Sequence, residues 1–430
     1  MLFTKPRSAV RAIALARGIS ITGGAAAFAA LNLQVEALTG SVFWLAASLF
    51  LTFGVAGLVG PLAGLLGDRY DRQRIMIYSD LVAGAFFLIM AFVDSPSWLL
   101  FFAFWSAVGE APMISASGGA IPNLVQNEDD IPWANSMLQI GWTTGIMLGP
   151  AIGGVLFDII GPKPIFIANA VSFLLSAALV AMVRGDFKDR DRGEAEEEHR
   201  GMRAGLVFLW RDRALRFMTF AWIVVVLGMG IALTADIPLA ELFDPSGAGG
   251  YYGFMIAAWG GGSVLGSILG RKLTKASEGN VLVWGMVVVG LALASVGISP
   301  IFLGVLAGIL ISGFADALTM VAEAGIMQRR APDVVRSRVI AASHAVISLA
   351  FAASFVIAPF SIQWLGPKVA YILCGVACLG GVCFLLPVRR ILHRALAQDA
   401  SSTSAPGEGT ELEVEPAANE DAAEEPRAAV

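Results

Sequence analysis

Apolar runs of about twenty residues alternate with short polar connections along most of the chain. As a helix, a run of that length crosses the roughly 30 Å hydrocarbon core of a bilayer. Twelve runs are predicted, at about 12–35, 42–66, 75–94, 97–121, 133–157, 164–183, 215–237, 250–270, 280–298, 301–326, 339–363 and 367–388. The short alternating segments of a membrane barrel are absent. The expected fold class is all-α and integral to the membrane, with twelve transmembrane helices.

An even number of spans puts both termini on one side. With that side in the cytoplasm, the basic residues sort as the positive-inside rule requires. Arg69, Arg72, Arg74, Arg271, Lys272, Lys275, Arg329, Arg330, Arg336, Arg338, Arg389, Arg390 and Arg394 fall inside, while Lys163 and Lys368 fall outside. Lys5, Arg7 and Arg11 precede the first run, and no small-residue cleavage site follows it, so the first span is expected to be retained. The polar stretch 184–214 separates six spans from six, with a surface helix expected near Met202–Trp210. The expected organisation is a first six-helix bundle (1–183), a cytoplasmic linker (184–214), a second bundle (215–392) and a disordered acidic cytoplasmic tail (393–430).

Short echoes relate the halves. Gly64-x-x-x-Asp68-Arg69 after span 2 parallels Gly266-x-x-x-Gly270-Arg271 after span 8. Gly161-Pro162-Lys163 parallels Gly366-Pro367-Lys368, and Leu148-Gly149-Pro150 parallels Ile357-Ala358-Pro359. Their shared offset of about 200 residues points to parallel repeats, a transporter architecture in which two halves rock around a central site.

Composition agrees. The 430 residues are 57% hydrophobic and 15% charged, too few polar groups to coat a soluble protein of this size. The 48 glycines suit close helix packing in lipid. Cys374, Cys378 and Cys383 all lie in the last run and read as small apolar residues, not as a disulfide framework or metal site. His199, His344 and His393 are scattered, so no catalytic set or metal centre is expected, and an enzyme is disfavoured. No phosphate-binding G-x-x-x-x-G-K-[ST] loop is present, which disfavours an ATP-driven pump.

The densest charge on the spans lies in Gly64-Leu65-Leu66-Gly67-Asp68-Arg69-Tyr70-Asp71-Arg72-Gln73-Arg74. Asp68, at the end of span 2, can face the positive N-terminal end of a neighbouring helix. Arg69, Arg72 and Arg74 can pair with lipid phosphates or with Glu128, Asp129 and Asp130, or can serve topology alone. In span 5, Gly145-x-x-x-Gly149-Pro150-x-x-Gly153-Gly154 combines a proline kink with small residues; tight packing is the simpler role.

Together these motifs resemble the major facilitator superfamily over roughly residues 10–390. Gly64, Asp68, Arg69, Arg72 and Arg74 match its loop signature, with Asp71 in place of a glycine. The span 5 stretch resembles the motif of drug:proton antiporters, with Ser136 where an earlier glycine is usual. Ala134-Asn135 and Ala331-Pro332-Asp333, with Arg336-Ser337-Arg338, resemble the bacterial exporter branch that includes macrolide and enterobactin exporters. The resemblance implies two pseudo-symmetric six-helix bundles and a latch from Asp68 to the start of span 11 in the outward-open state. It further implies proton-coupled efflux of a small amphipathic molecule from the bacterial inner membrane. The expected chain is a monomer in contact with lipid, without cofactor, metal or nucleic acid. An importer or a ligand sensor are the alternatives.

Ionisable groups at membrane depth are costly and mark function. A carboxylate stripped of water holds its proton more tightly and can carry it at neutral pH. Glu110 in span 4 and Asp316 in span 10 sit at nearly equivalent repeat positions, so they are proton or cation-substrate candidates; the plainer role is a polar link between helices. Glu323 is a further candidate or a partner of Arg329 or Arg330. Arg17 is either an anion site or, with Asp80, a partner of the loop cluster. Asp236 is expected at the outer interface.

Overall fold

The computed structural model describes residues 6–54, 70–125, 130–183, 205–332 and 335–404. Twelve helices follow the predicted runs. They are α1 (Pro6–Thr39), α2 (Val42–Leu49, continued as a wider π-type turn Phe50–Gly54), α3 (Arg72–Met90), α4 (Pro96–Leu124), α5 (Ile131–Ile160) and α6 (Pro162–Ala181). After them come α7 (Arg213–Glu241), α8 (Ala248–Gly270), α9 (Glu278–Ile298), α10 (Phe302–Arg330), α11 (Arg336–Leu365) and α12 (Pro367–Ser404). Among the described residues, ten of these are long and apolar enough to cross a membrane. Large side chains such as Ile159, Leu303, Leu349 and Trp364 stand exposed, as a lipid-facing surface requires.

The sequence explains the helix ends. Gly161 and Gly366 close α5 and α11 with φ of 73° and 82°, a left-handed conformation that glycine adopts without strain. A proline follows each at the first position of the next helix, where its missing N–H costs no bond. The two turns lie 205 residues apart, and Pro150 and Pro359 each sit inside the helix just before them.

Packing repeats with the same period. In the first half α1 packs on α5 and α6, and α3 on α4 and α6; in the second, α7 packs on α11 and α12, and α9 on α10 and α12. Contact between the halves runs through α5 against α8 and α2 against α11. Rings from both halves meet along α2 and α11: Phe53 lies 5.8 Å from Phe351 and Phe43 lies 5.2 Å from Phe360 between centroids.

One expectation on the connections changes and one holds. Residues 393–404, assigned to a disordered tail, continue α12, because Ala395-Leu396-Ala397-Gln398 are good helix formers. Residues 205–211 form the short helix expected near Met202–Trp210. The remaining linker and tail expectations, at 184–204 and 405–430, lie outside the described residues.

Candidate functional site

The first half gathers three ionisable groups from three helices. Arg17 of α1 reaches across to α4, where it donates a hydrogen bond to the Ser117 hydroxyl. Glu110, two turns before Ser117 on α4, and Asp80 of α3 are the charges that act on it. Asp80 is fully buried beside Ser176 of α6, and neither of its oxygens makes a hydrogen bond of good geometry. Arg17 and Asp80 therefore lie with Glu110. One guanidinium here offsets part of the charge of two carboxylates, the arrangement that makes buried charge tolerable.

The second half repeats the geometry with different chemistry. Trp222 of α7 stands 205 residues after Arg17, and Glu323 of α10 stands 206 after Ser117. These two are also neighbours, with the Trp222 indole beside the Glu323 carboxyl. Asp316 stands 206 residues after Glu110 and is 5% exposed, and it is the charge that acts on Glu323. Here the base is replaced by an indole and the hydroxyl by a second acid. Among the described residues neither Asp316 nor Glu323 takes part in an ion pair. Arg329 and Arg330, the sequence candidates for Glu323, are engaged elsewhere. Arg329 pairs with Glu278 of α9, and Arg330 grips Asp212 through Nε at 3.0 Å and Nη2 at 2.6 Å.

Asp236, expected at the water interface, is instead buried at 8% exposure and accepts a hydrogen bond from Tyr371 of α12. The interface reading failed because Asp236 stands more than a turn before the end of α7 and α12 covers it.

The span 5 glycines form two seams. Gly141, Gly145, Gly149 and Gly153, four residues apart, make one stripe facing α1. A Cβ added at Gly149 would lie 2.7 Å from the Thr22 carbonyl oxygen, and one at Gly153 would lie 2.7 Å from Ala26 Cα. Gly154 turns to the other half and abuts Gly249 of α8, while a Cβ on Gly253 would meet the Pro150 carbonyl oxygen at 2.7 Å. The motif is thus a packing device on both sides: one seam holds α5 within its half, the other brings the halves together. Gly141 is a stripe member that the sequence reading missed; its spacing of four was the available signal.

In the charged loop, Gly64, Asp68 and Arg69 lie outside the described residues. Asp71 caps α3 by accepting from the Arg74 N–H at 3.1 Å, Arg72 opens the helix, and Arg74 is exposed. Gln73 ties the start of α3 to the end of α6, donating to the carbonyls of Val180 and Val183 at 2.9 and 2.8 Å. Asp130, a candidate partner for the loop arginines, pairs with Arg7 at 3.0 Å. Glu128 and Asp129 lie outside the described residues.

A cavity of about 610 Å³ opens between α1, α5 and α6, lined by Leu15, Ile19, Met137, Ile140 and Thr144 among others. No ionisable side chain lines it, so it is separate from the carboxylate clusters. Among the described residues, no group of three or more His, Cys, Asp or Glu is placed to hold a metal ion.

A sequence model of the Major Facilitator Superfamily matches residues 13–278. The chain belongs to the major facilitator superfamily. It is accordingly a multi-pass membrane transporter. Among curated relatives, it is 28% identical to the uncharacterized MFS-type transporter YfiS of Bacillus subtilis (strain 168), over 76% of this chain and 80% of that one. It is 25% identical to the enterobactin exporter EntS of Shigella dysenteriae serotype 1, over 78% of this chain and 80% of that one. Its fold matches a bacterial homolog of the human lysosomal transporter Spinster, in an inward-facing and unoccupied conformation. There the TM-score is 0.66, at 15% identity over 92% of this chain and 98% of the other. A POT family transporter in complex with 5-aminolevulinic acid gives 0.71, at 11% identity over 89% and 96%.

Proposed function

We propose that this transporter exports a small amphipathic molecule by alternating access, in exchange for protons entering from the opposite side. The observation that carries the reading is the unequal charge at equivalent positions of the two halves. In the first half, Arg17 lies beside Glu110 and Asp80, so a carboxylate there can stay ionised at membrane depth. In the second, Asp316 and Glu323 lie two turns apart on α10 and act on each other electrostatically, with Trp222 where the base would be. Two neighbouring carboxylates without a counter-cation are costly to keep ionised together in a low-dielectric site. Asp316 and Glu323 are therefore assigned as the proton carriers, and Glu110 as a fixed charge balanced by Arg17. This narrows the four sequence candidates to one coupled pair and one compensated pair.

The enterobactin exporters among the relatives support export. The side carrying both termini is assigned to the cytoplasm on the distribution of basic residues, which places the membrane in a bacterium as the inner one. The loop from Gly64 to Arg74 then faces the cytoplasm, and Asp68 at the end of span 2 is assigned as the inner latch onto the start of α11. The cargo class, drug-like, macrolide-like or siderophore-like, follows the exporter resemblance.

Purified protein in proteoliposomes, with an imposed pH gradient and a cargo first identified by a growth-inhibition panel, tests the reading. Uphill accumulation that collapses with the pH gradient is expected. Accumulation that ignores the gradient refutes proton coupling, and binding without accumulation refutes transport.

A further inference from the structure

Asp158 lies near the end of α5, on the membrane side opposite the termini, and its carboxylate crosses to the other half. Its Oδ1 accepts from the Gly249 N–H at 3.2 Å and its Oδ2 from the Gly250 N–H at 2.7 Å. These are the second and third residues of α8, whose own N-cap, Gly247, has no side chain to satisfy them. The first amides of a helix lack intrahelical partners and carry the positive end of its dipole, so a carboxylate is the preferred cap. Caps normally come from the same chain segment; this one comes from a helix 91 and 92 residues earlier.

We propose that Asp158 is the gating residue that holds the transporter closed on the side opposite its termini. Three observations fit together. The contact joins the halves along α5 and α8, the most extensive seam between them among the described residues. The seam is built to let the carboxylate in: a Cβ on Gly249 would lie 2.6 Å from Asp158 Oδ1, and Gly154 and Gly249 already meet backbone to backbone. Asp158 is also exposed at the membrane boundary, so water can solvate both the carboxylate and the amides once they part. That makes the contact reversible, as a gate must be. Three ion pairs described on the termini side lie within one half: Arg7 to Asp130, Arg329 to Glu278 and Arg330 to Asp212.

The repeat position carries no matching carboxylate. The residue 205 positions after Asp158 is Gln363 on α11, which has no charge to offer the start of α2. The device rests on the alternating-access reading above, and it assigns the closed side without reference to which compartment that side faces.

Hydrogen–deuterium exchange of the full chain in lipid nanodiscs tests it. In Asp158→Ala, exchange at residues 248–254 should quicken by about threefold to thirtyfold, the range for a lost helix cap. Exchange at the far ends of α10 and α11, residues 323–332 and 336–342, should slow as that side closes. Asp158→Asn keeps an acceptor and should fall between the two. Gly249→Ala tests the seam around the carboxylate. Alanine strengthens the helix itself, yet its Cβ meets both the Gly154 carbonyl oxygen and Asp158 Oδ1, so it should part the seam and also slow exchange on the far side. Unchanged exchange at 248–254, or faster exchange there without slowing at the far ends, overturns the proposal. The transport reading fails separately, through the liposome assay, whatever the exchange pattern.

Discussion

Neutralising the acids of the second half should lower the gradient that the transporter sustains, one proton at a time. A pH difference of one unit is worth about 1.4 kcal/mol per proton, or about tenfold in cargo concentration. Asp316 and Glu323 are the two carboxylates that act on each other along α10 with no ion-pair partner among the described residues, so up to two protons exchange per cargo. For an uncharged cargo, with no membrane potential, the limiting accumulation is then about a hundredfold per pH unit. Asp316→Asn or Glu323→Gln should each reduce it to about tenfold, and the double variant to none. Downhill counterflow, which needs no net proton movement, should survive in all three. Accumulation of labelled cargo in proteoliposomes, with the potential clamped by valinomycin and equal potassium, measures this directly. The assignment is wrong if the double variant still accumulates cargo uphill, or if Glu110→Gln alone abolishes coupling while the double variant retains it.

Other outcomes follow from the same contacts. Arg17→Met leaves Glu110 and Asp80 without their base; breaking a buried pair costs about 3–5 kcal/mol, so folded yield on size-exclusion chromatography should collapse, and Glu110→Gln in the same chain should restore part of it. Gly153→Val places a side chain against the Ala26 backbone, and overpacking of about 1–3 kcal/mol should lower the melting temperature measured by intrinsic fluorescence. Asp212 gives a pH dependence. Burial pushes its carboxyl up, but the Arg330 guanidinium and the N–H groups of Leu215 and Ala214 outweigh burial and hold it below the usual range. Its stabilisation is therefore complete above the unfolded value of about 3.9 and is lost as pH falls through the lower folded value. Asp212→Ala should cost about 1–2 kcal/mol at pH 7 after solvent screening, and its melting temperature should converge on the parent's as the pH approaches 3.

The twelve elements were legible because lipid makes hydropathy decisive: a run either spans the core or it does not. The α5 seam was legible too, since glycines four residues apart share one helix face. Partner choice was less accessible. Glu323 lies within two turns of Arg329 and Arg330, and sequence distance favours them, yet those arginines reach across to Glu278 and Asp212 while Glu323 turns to Trp222. Asp158 carried no signal at all. A lone acid before a glycine turn reads as an interface residue, and its role appears only when α8, whose glycines bare the amides, is brought alongside.

The repeat also explains why the halves must differ. If both carried the Arg17–Glu110 arrangement, both of these clusters would have a base beside their acids, and neither could exchange a proton without stranding a charge. If both carried the Trp222–Glu323 arrangement, four acids would sit uncompensated at membrane depth, each costing several kcal/mol. Substituting Trp222 for the base and Glu323 for Ser117 at matching positions keeps one half electrostatically settled and leaves the other titratable. The same economy holds at the gate, where Asp158 engages α8 and Gln363 leaves α2 free. A backbone repeated nearly evenly thus becomes directional through a few unmatched side chains, and exchanging them, Trp222→Arg with Glu323→Ser, should yield a folded protein that binds cargo but no longer couples its movement to protons.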